Sequence, residues 1–225
     1  MGEYYDWINA DRKEYICPSD FDLGNKLHES MGRGNAALCA LRELLSKEWA
    51  GDHILFLGDE IIVPADAGNE TLRMLYHQTV QAGYQNVHAY DAVIETYTNV
   101  SGLFKAAEDE VREEILFYLE DLRNERPIRR NEYGVDPIHP FEGLFLRNGK
   151  DYRYTINHTK RVCYSAEETR IIDEDQTDVI CGDPLPVLMA YGRVAGIGAW
   201  VGDIIGVGDE IPEGYVVMKE IRLDR

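Results

Sequence analysis

Apolar and polar positions along the chain switch between two periods. YYDWINADRKEYICP (4–18) sets aromatic and aliphatic residues on both sides of a polar NADRK run, which predicts a β-hairpin with an Asn/Asp turn. In GNAALCALRELLSKEW (34–49), apolar residues at 37, 38, 41, 44 and 45 follow helical spacing. DHILFLGDE (52–60) is a short apolar run bounded by Gly-Asp pairs and reads as a buried strand. NETLRMLYHQTVQAG (69–83) predicts a helix capped by Asn69 and stopped by Gly83. The clearest helical pattern is SGLFKAAEDEVREEILFYLEDLRNERP (101–127), where Leu103, Phe104, Val111, Ile115, Leu116, Leu119 and Leu122 form one face. RPIRRNEYGVDPIHPFEG (126–143) reads as a connecting loop. GLFLRNGKDYRYTINHTKRVCYS (143–165) predicts two or three strands with an Asn148-Gly149 hairpin turn. ICGDPLPVLMAYG (180–192) reads as a strand running into a helix, and GYVVMKEIRL (214–223) as a strand. The sum is a mixed α+β chain.

Two phrases recur in this pattern. WAGDHILFLGDEI (49–61) is echoed by WVGDIIGVGDEI (200–211), with the tryptophans 151 positions apart. INADRKEYIC (8–17) precedes the first and INHTKRVC (156–163) the second, at separations of 40 and 43 positions from asparagine to tryptophan. ALCALRELLSKEW and VLMAYGRVAGIGAW lie in corresponding places. The expected architecture is therefore two diverged tandem copies of a hairpin–helix–strand unit, residues 1–65 and 150–225, with a helical insert and connecting loop at 66–149. Each copy would bury against the other a face it cannot cover alone, as in a pseudo-dimer.

Composition narrows the picture. The 225 residues are 44% hydrophobic, enough for a core and against global disorder. The start, MGEYYDWINADRKE, has neither a basic region nor an apolar run, so no secretory signal is expected. No apolar stretch is long enough to predict a membrane span. Cys17, Cys39, Cys163 and Cys181 form no Cys-x-x-Cys pair, which speaks against a zinc site and for a cytoplasmic chain with reduced thiols. The net charge of −18 is spread along the chain, with −9 on residues 1–100, −4 on 101–140 and −5 on 141–225. Such a field disfavours nucleic acid and speeds encounter with a basic protein, although it also serves plain solubility.

MGEYYDWINADRKEYICPSDF, the Gly-rich turn, the helix and WAGDHILFLGDE together resemble the start of an uncharacterised group of bacterial proteins. These open with Met-Gly-x-Tyr-Tyr, an Asn, a Lys-Glu-Tyr turn and a later Trp-x-Gly-Asp phrase. INHTK (156–160), DPLPVLM (183–189) and WVGDII (200–205) resemble the matching strand, helix start and late strand of related proteins. The resemblance covers both repeats and not the insert. It implies continuity of fold and carries no catalytic residues.

Four sets of residues are candidates for chemistry. Asp59, Glu60, Asp209 and Glu210 could hold a hard divalent cation if the two copies brought them together; otherwise their Gly-Asp pairs are turns closing core strands. The Gly-rich loop MGRGN, with Gly32, Arg33 and Gly34 and with Lys26 and His28 upstream, precedes a helix and could receive a phosphate or carboxylate. Arg193 in GRVAGIG would play the same part in the second copy. Neither loop carries the P-loop or dinucleotide fingerprint. The histidines show no metal-binding or paired His-Thr spacing, and no nucleophile has a recognisable base beside it. Tyr4, Tyr5, Trp7, Tyr152 and Tyr154 could form an aromatic interaction face on paired strands, or serve cross-strand packing.

With no cofactor motif and no catalytic set, the expected function is a non-enzymatic acidic interaction protein, such as a toxin-neutralising immunity protein or an anti-defence inhibitor. Its expected partner is another protein, and the charge favours a basic one. The alternative is a protein or enzyme that binds a small ligand or nucleotide through the Gly-rich loops. The sequence leaves oligomeric state open.

Overall fold

A computed structural model describes residues 2–21, 23–32, 35–84, 88–104, 152–173 and 182–223. Its first sheet is built around β1 (Tyr5–Asn9), which pairs antiparallel with β2 (Glu14–Ile16) and with β3 (Ile54–Gly58). Every residue of β1 and β3 is buried, because both faces of this sheet are covered. Tyr5, Trp7, Ile54 and Phe56 face helix α1 (Ala36–Leu45), with the Trp7 and Phe56 rings stacked at 4.3 Å. Ile8, Leu55 and Leu57 face α2 (Glu70–Gln81) and α3 (Ala89–Thr96). The helix starts follow the sequence signals, since Leu38 N–H donates to Asn35 Oδ1 at 3.1 Å and Leu72 N–H to Asn69 Oδ1 at 3.2 Å. After α3, the short β4 (Thr98–Asn99) joins β2 in parallel.

The second sheet is built around β5 (Tyr154–Asn157), antiparallel to β6 (Val162–Tyr164) and to β10 (Ile205–Gly208). β11 (Val216–Val217) runs parallel to β6, and β12 (Glu220–Leu223) runs parallel to β7 (Arg170–Asp173) in a separate pair. The terminal stretch expected as one strand is thus two, with Lys219 between them, each serving a different partner. ICGDPLPVLMAYG also reverses the expected order. Helix α4 (Leu185–Met189) comes first, with Asp183 accepting from Leu185 N–H at 2.9 Å. The chain then extends as β8 (Ala190–Gly192), which lies parallel to β3 and turns back as β9 (Gly196–Ile197). The long helix expected over 101–127 shows only its first turn, Ser101–Phe104; the remainder, the loop that follows and Asn148-Gly149 lie outside the described residues. Helix α1 is enclosed between the two sheets, sharing one core with Tyr164, Trp200 and Ile205. Among the described residues no helix is long and apolar enough to cross a membrane.

The recurring phrases have a structural counterpart. In each, the Asp N–H donates to the Trp carbonyl (Asp52 to Trp49 at 3.2 Å, Asp203 to Trp200 at 2.9 Å), and the intervening glycine has φ of +87° at Gly51 and +82° at Gly202. Positive φ at the third position of such a turn is where glycine is required. The aspartates then receive an asparagine: Asn9 Nδ2 donates to Asp52 at 2.9 Å and Asn157 Nδ2 to Asp203 at 2.7 Å. The same asparagines accept through Oδ1 from the backbone N–H of Arg12 and Lys160, whose side chains pair with Asp52 and Asp203. The hairpin turns close with Lys13 and Arg161 at φ of 56° and 55°.

These knots tie each hairpin to its later strand, so removing the asparagine should loosen both. Asn157→Ala, beside the more buried aspartate, is expected to destabilise by about 2–3 kcal/mol and Asn9→Ala by about 1–2 kcal/mol in urea unfolding. Losses below about 0.5 kcal/mol in both would contradict this account of the phrase.

Candidate functional site

The carboxylates at the strand ends do not converge. His53 and Ile204, at the starts of β3 and β10, form a single antiparallel bridge. The two strands run apart from it, so Asp59–Glu60 and Asp209–Glu210 lie to opposite sides, each roughly 15–20 Å of strand away. Asp59 Oδ1 accepts from Tyr4 N–H at 3.0 Å, and Glu60 pairs with Arg193. Among the described residues no three His, Cys, Asp or Glu side chains are grouped so as to hold a metal ion. The expectation of a cation shared between the copies is corrected by this geometry.

The Gly-rich loops separate likewise. Arg33 and Gly34 lie outside the described residues. Lys26 pairs with Glu29 at 3.7 Å, His28 is exposed, and the Gly32 carbonyl accepts from Asn35 N–H at 3.0 Å. At the β8–β9 turn, the Arg193 and Val194 N–H groups donate to the buried Glu3 carboxylate at 2.7 and 2.9 Å. The anion expected for that loop is thus supplied from within the chain. Tyr5 O–H also donates to Glu3 at 2.6 Å, and burial first, then Glu3, pushes that phenol far up. Gly192 lets this knot close, because a Cβ there would stand 2.4 Å from the Tyr5 hydroxyl and 2.8 Å from the Glu3 carboxylate.

The expected aromatic face divides. Tyr5 and Trp7 are core residues, buried by stacking on Phe56, and Tyr154 is buried in the second sheet. Tyr4 is 44% exposed and Tyr152 is half-buried. Tyr4 belongs to one end of the first sheet. Its backbone exchanges two hydrogen bonds with Asp59, while Arg193 reaches across to Glu60. Ile62, 53% exposed, and Val194, 70% exposed, are within two positions of these bonded residues. The result is an exposed aromatic and two aliphatic side chains beside Asp59 and Glu60.

Compared with known proteins, the chain matches no family model, no curated protein and no solved structure.

Two buried polar clusters went unseen in the sequence. Under α3, Asp6 is fully buried; Oδ2 accepts from Tyr90 O–H at 2.8 Å, while Oδ1 has no hydrogen-bond partner. Burial pushes its carboxyl up to about 6, against the Tyr90 hydroxyl and the adjacent Cys17 thiol, which favour the ionised form. Burial, then Asp6, pushes the Cys17 thiol up to about 11, and burial also raises Cys163, so neither is poised as a thiolate nucleophile. Between the sheets, Asp183 accepts from Arg42 Nη2 and from Tyr164 O–H, and Arg42 Nη2 also donates to Thr155 Oγ1 at 3.3 Å. Complete burial, then Asp183, holds the Tyr164 phenol well above its ordinary value, so it stays a donor. Arg42 and Asp183 are 141 positions apart and Glu3 and Arg193 are 190 apart. No local spacing could have announced either pair.

Proposed function

We propose that the chain is a non-enzymatic acidic interaction protein of the cytoplasm, one that docks on a basic site of another protein and occludes it, as a toxin-neutralising immunity protein or an anti-defence inhibitor does. The observation that carries this reading is the sheet end where exposed Tyr4, Ile62 and Val194 sit with Asp59 and Glu60. An aromatic anchor beside aliphatic contacts gives affinity, and flanking carboxylates in a chain of net charge −18 give steering toward a basic partner. The Glu3 knot supports the reading by fixing this end rigidly, which lowers the ordering cost of binding.

The same proposal takes the chain to be two diverged copies of one unit. The paired Asn–Asp knots, the paired glycine turns and the matching strand orders β3-β1-β2-β4 and β10-β5-β6-β11 all support it. The outer strands agree in detail. Thr98 N–H donates to Lys13 O at 2.9 Å and Val216 N–H to Arg161 O at 3.1 Å. His53 bridges Ile204, its own counterpart in the repeated phrase, as a local two-fold would require. On this reading the first copy reaches β4 at Asn99 instead of closing at residue 65, with α2 and α3 inserted before that strand.

The test is capture of a binding partner from native host cells, then titration of the purified partner. Tyr4→Ala and Val194→Asp should each weaken binding by about 30-fold, whereas Val216→Asp, on the other sheet, should not. Added salt should slow association. A partner whose affinity is indifferent to Tyr4 and Val194, or the failure to capture any, would refute the proposal.

A further inference from the structure

β10 carries glycine at Gly206 and Gly208, opposite Ile156 and Tyr154 on the outer face of the second sheet. The corresponding positions of β3 are Leu55 and Leu57, packed against α2 and α3. Where those leucines would project, the His158 imidazole crosses the sheet: a Cβ at position 206 would stand 2.5 Å from Nε2. His158 Nδ1 meets the Tyr215 hydroxyl at 3.1 Å, with the rings edge-on at 77°. The Arg161 guanidinium lies over the Tyr215 ring, 5.6 Å from its centroid, and packs on Gly214, whose φ is +77°. His158 and Arg161 are both exposed.

Tyr97 stands in the same place on β4 as Tyr215 does on β11, and there the first sheet is closed. Tyr97 O–H donates to Gln78 of α2, whose Nε2 donates to Ala10 O at 3.1 Å. Among the described residues no helix takes that position over Tyr215, and no carboxylate pairs with Arg161. In so acidic a chain, an arginine held by stacking and left without a counter-ion has its donors available. With Tyr215 O–H donating to Nδ1, the imidazole proton sits on Nε2 and gives a second donor directed over the glycine floor.

We propose that His158, Arg161 and Tyr215 form a binding site for a tetrahedral oxyanion of the phosphate class. The guanidinium fork and the imidazole N–H suit an anion with several acceptor oxygens, and Gly206 keeps the space beside them free of side-chain atoms. The site is independent of the Tyr4 surface, so either can fail alone.

The test is NMR of the full chain with labelled histidines, titrated with inorganic phosphate and, separately, with phenyl phosphate, against sodium chloride at matched ionic strength and pH. Saturable movement of the His158 ring signal by phosphate and not by chloride is expected, with His53 and His88 unmoved. Arg161→Ala should weaken it about 10-fold or more, and Arg161→Lys less. A response to phenyl phosphate alone would assign the site to phosphate esters. Equal response to chloride, or an affinity unchanged in Arg161→Ala whose thermal unfolding matches wild type, would overturn the proposal.

Discussion

Asp183→Ala is expected to cost the fold about 3–5 kcal/mol in urea unfolding, enough to consume much of the stability of a domain this size. Asp183 is 2% exposed and serves four groups: Arg42, Tyr164 O–H and Leu185 N–H through its carboxylate, and Met31 O through its own N–H. Deleting the carboxylate leaves a mostly buried guanidinium and a fully buried phenol facing each other with no acceptor between them, and it uncaps α4. The loss should be asymmetric. Replacing all three members together (Arg42→Met, Asp183→Leu, Tyr164→Phe) should recover much of what the single change loses, because the expensive state is the half-removed network rather than its absence. A cost below about 1 kcal/mol for Asp183→Ala would mean that the cluster does not fasten α1 to the second sheet.

Asp6→Asn is expected to act in the opposite direction. The Asp6 carboxyl rises from 3.8 to about 6, so in the folded state it favours the protonated form. A carboxyl raised by folding contributes stability that is complete below about pH 4 and disappears as pH rises through about 6. The difference across that window is ~3 kcal/mol. At pH 7.5 the wild-type chain therefore holds a buried charge with only Tyr90 and the Cys17 thiol against it. The substituted amide would keep the bond from Tyr90 and carry no charge. The variant should be more stable than wild type by about 1–3 kcal/mol at pH 7.5, and the two should converge near pH 4. Equal stability at both pH values, or a less stable variant at pH 7.5, would show that Asp6 is not strained by its ionisation.

How far the sequence could be read depended on whether the controlling contacts were local. The hairpin around NADRK, the asparagine caps of α1 and α2 and the glycine turn in Trp-x-Gly-Asp were legible because the chemistry that sets them lies within four residues. α4 and β8 were read in the wrong order, since a short apolar run is ambiguous between strand and helix until its partner is known. Here β3 captures Ala190–Gly192 as a strand, and the Asp183 cap with Pro184 starts the helix before it. The aromatic face was misjudged for Tyr5 and Trp7 because strand alternation predicts which side chains share a face, not whether a helix covers it.

By itself, then, the sequence determined the mixed α+β character, the two similar phrases with their glycine turns, and the acidity that makes a basic partner the natural expectation. These rest on backbone stereochemistry, hydrophobic period and charge, all carried by neighbours along the chain. Only the tertiary structure decided that the Asn and Asp of each phrase meet, that Glu3 fills the turn expected to receive an anion, that Asp59–Glu60 and Asp209–Glu210 stay apart, and that Asp6 and Asp183 are buried. Those outcomes depend on which strand lies beside which, a matter of long-range packing that side chains 40 to 190 positions apart settle together and that no local pattern encodes.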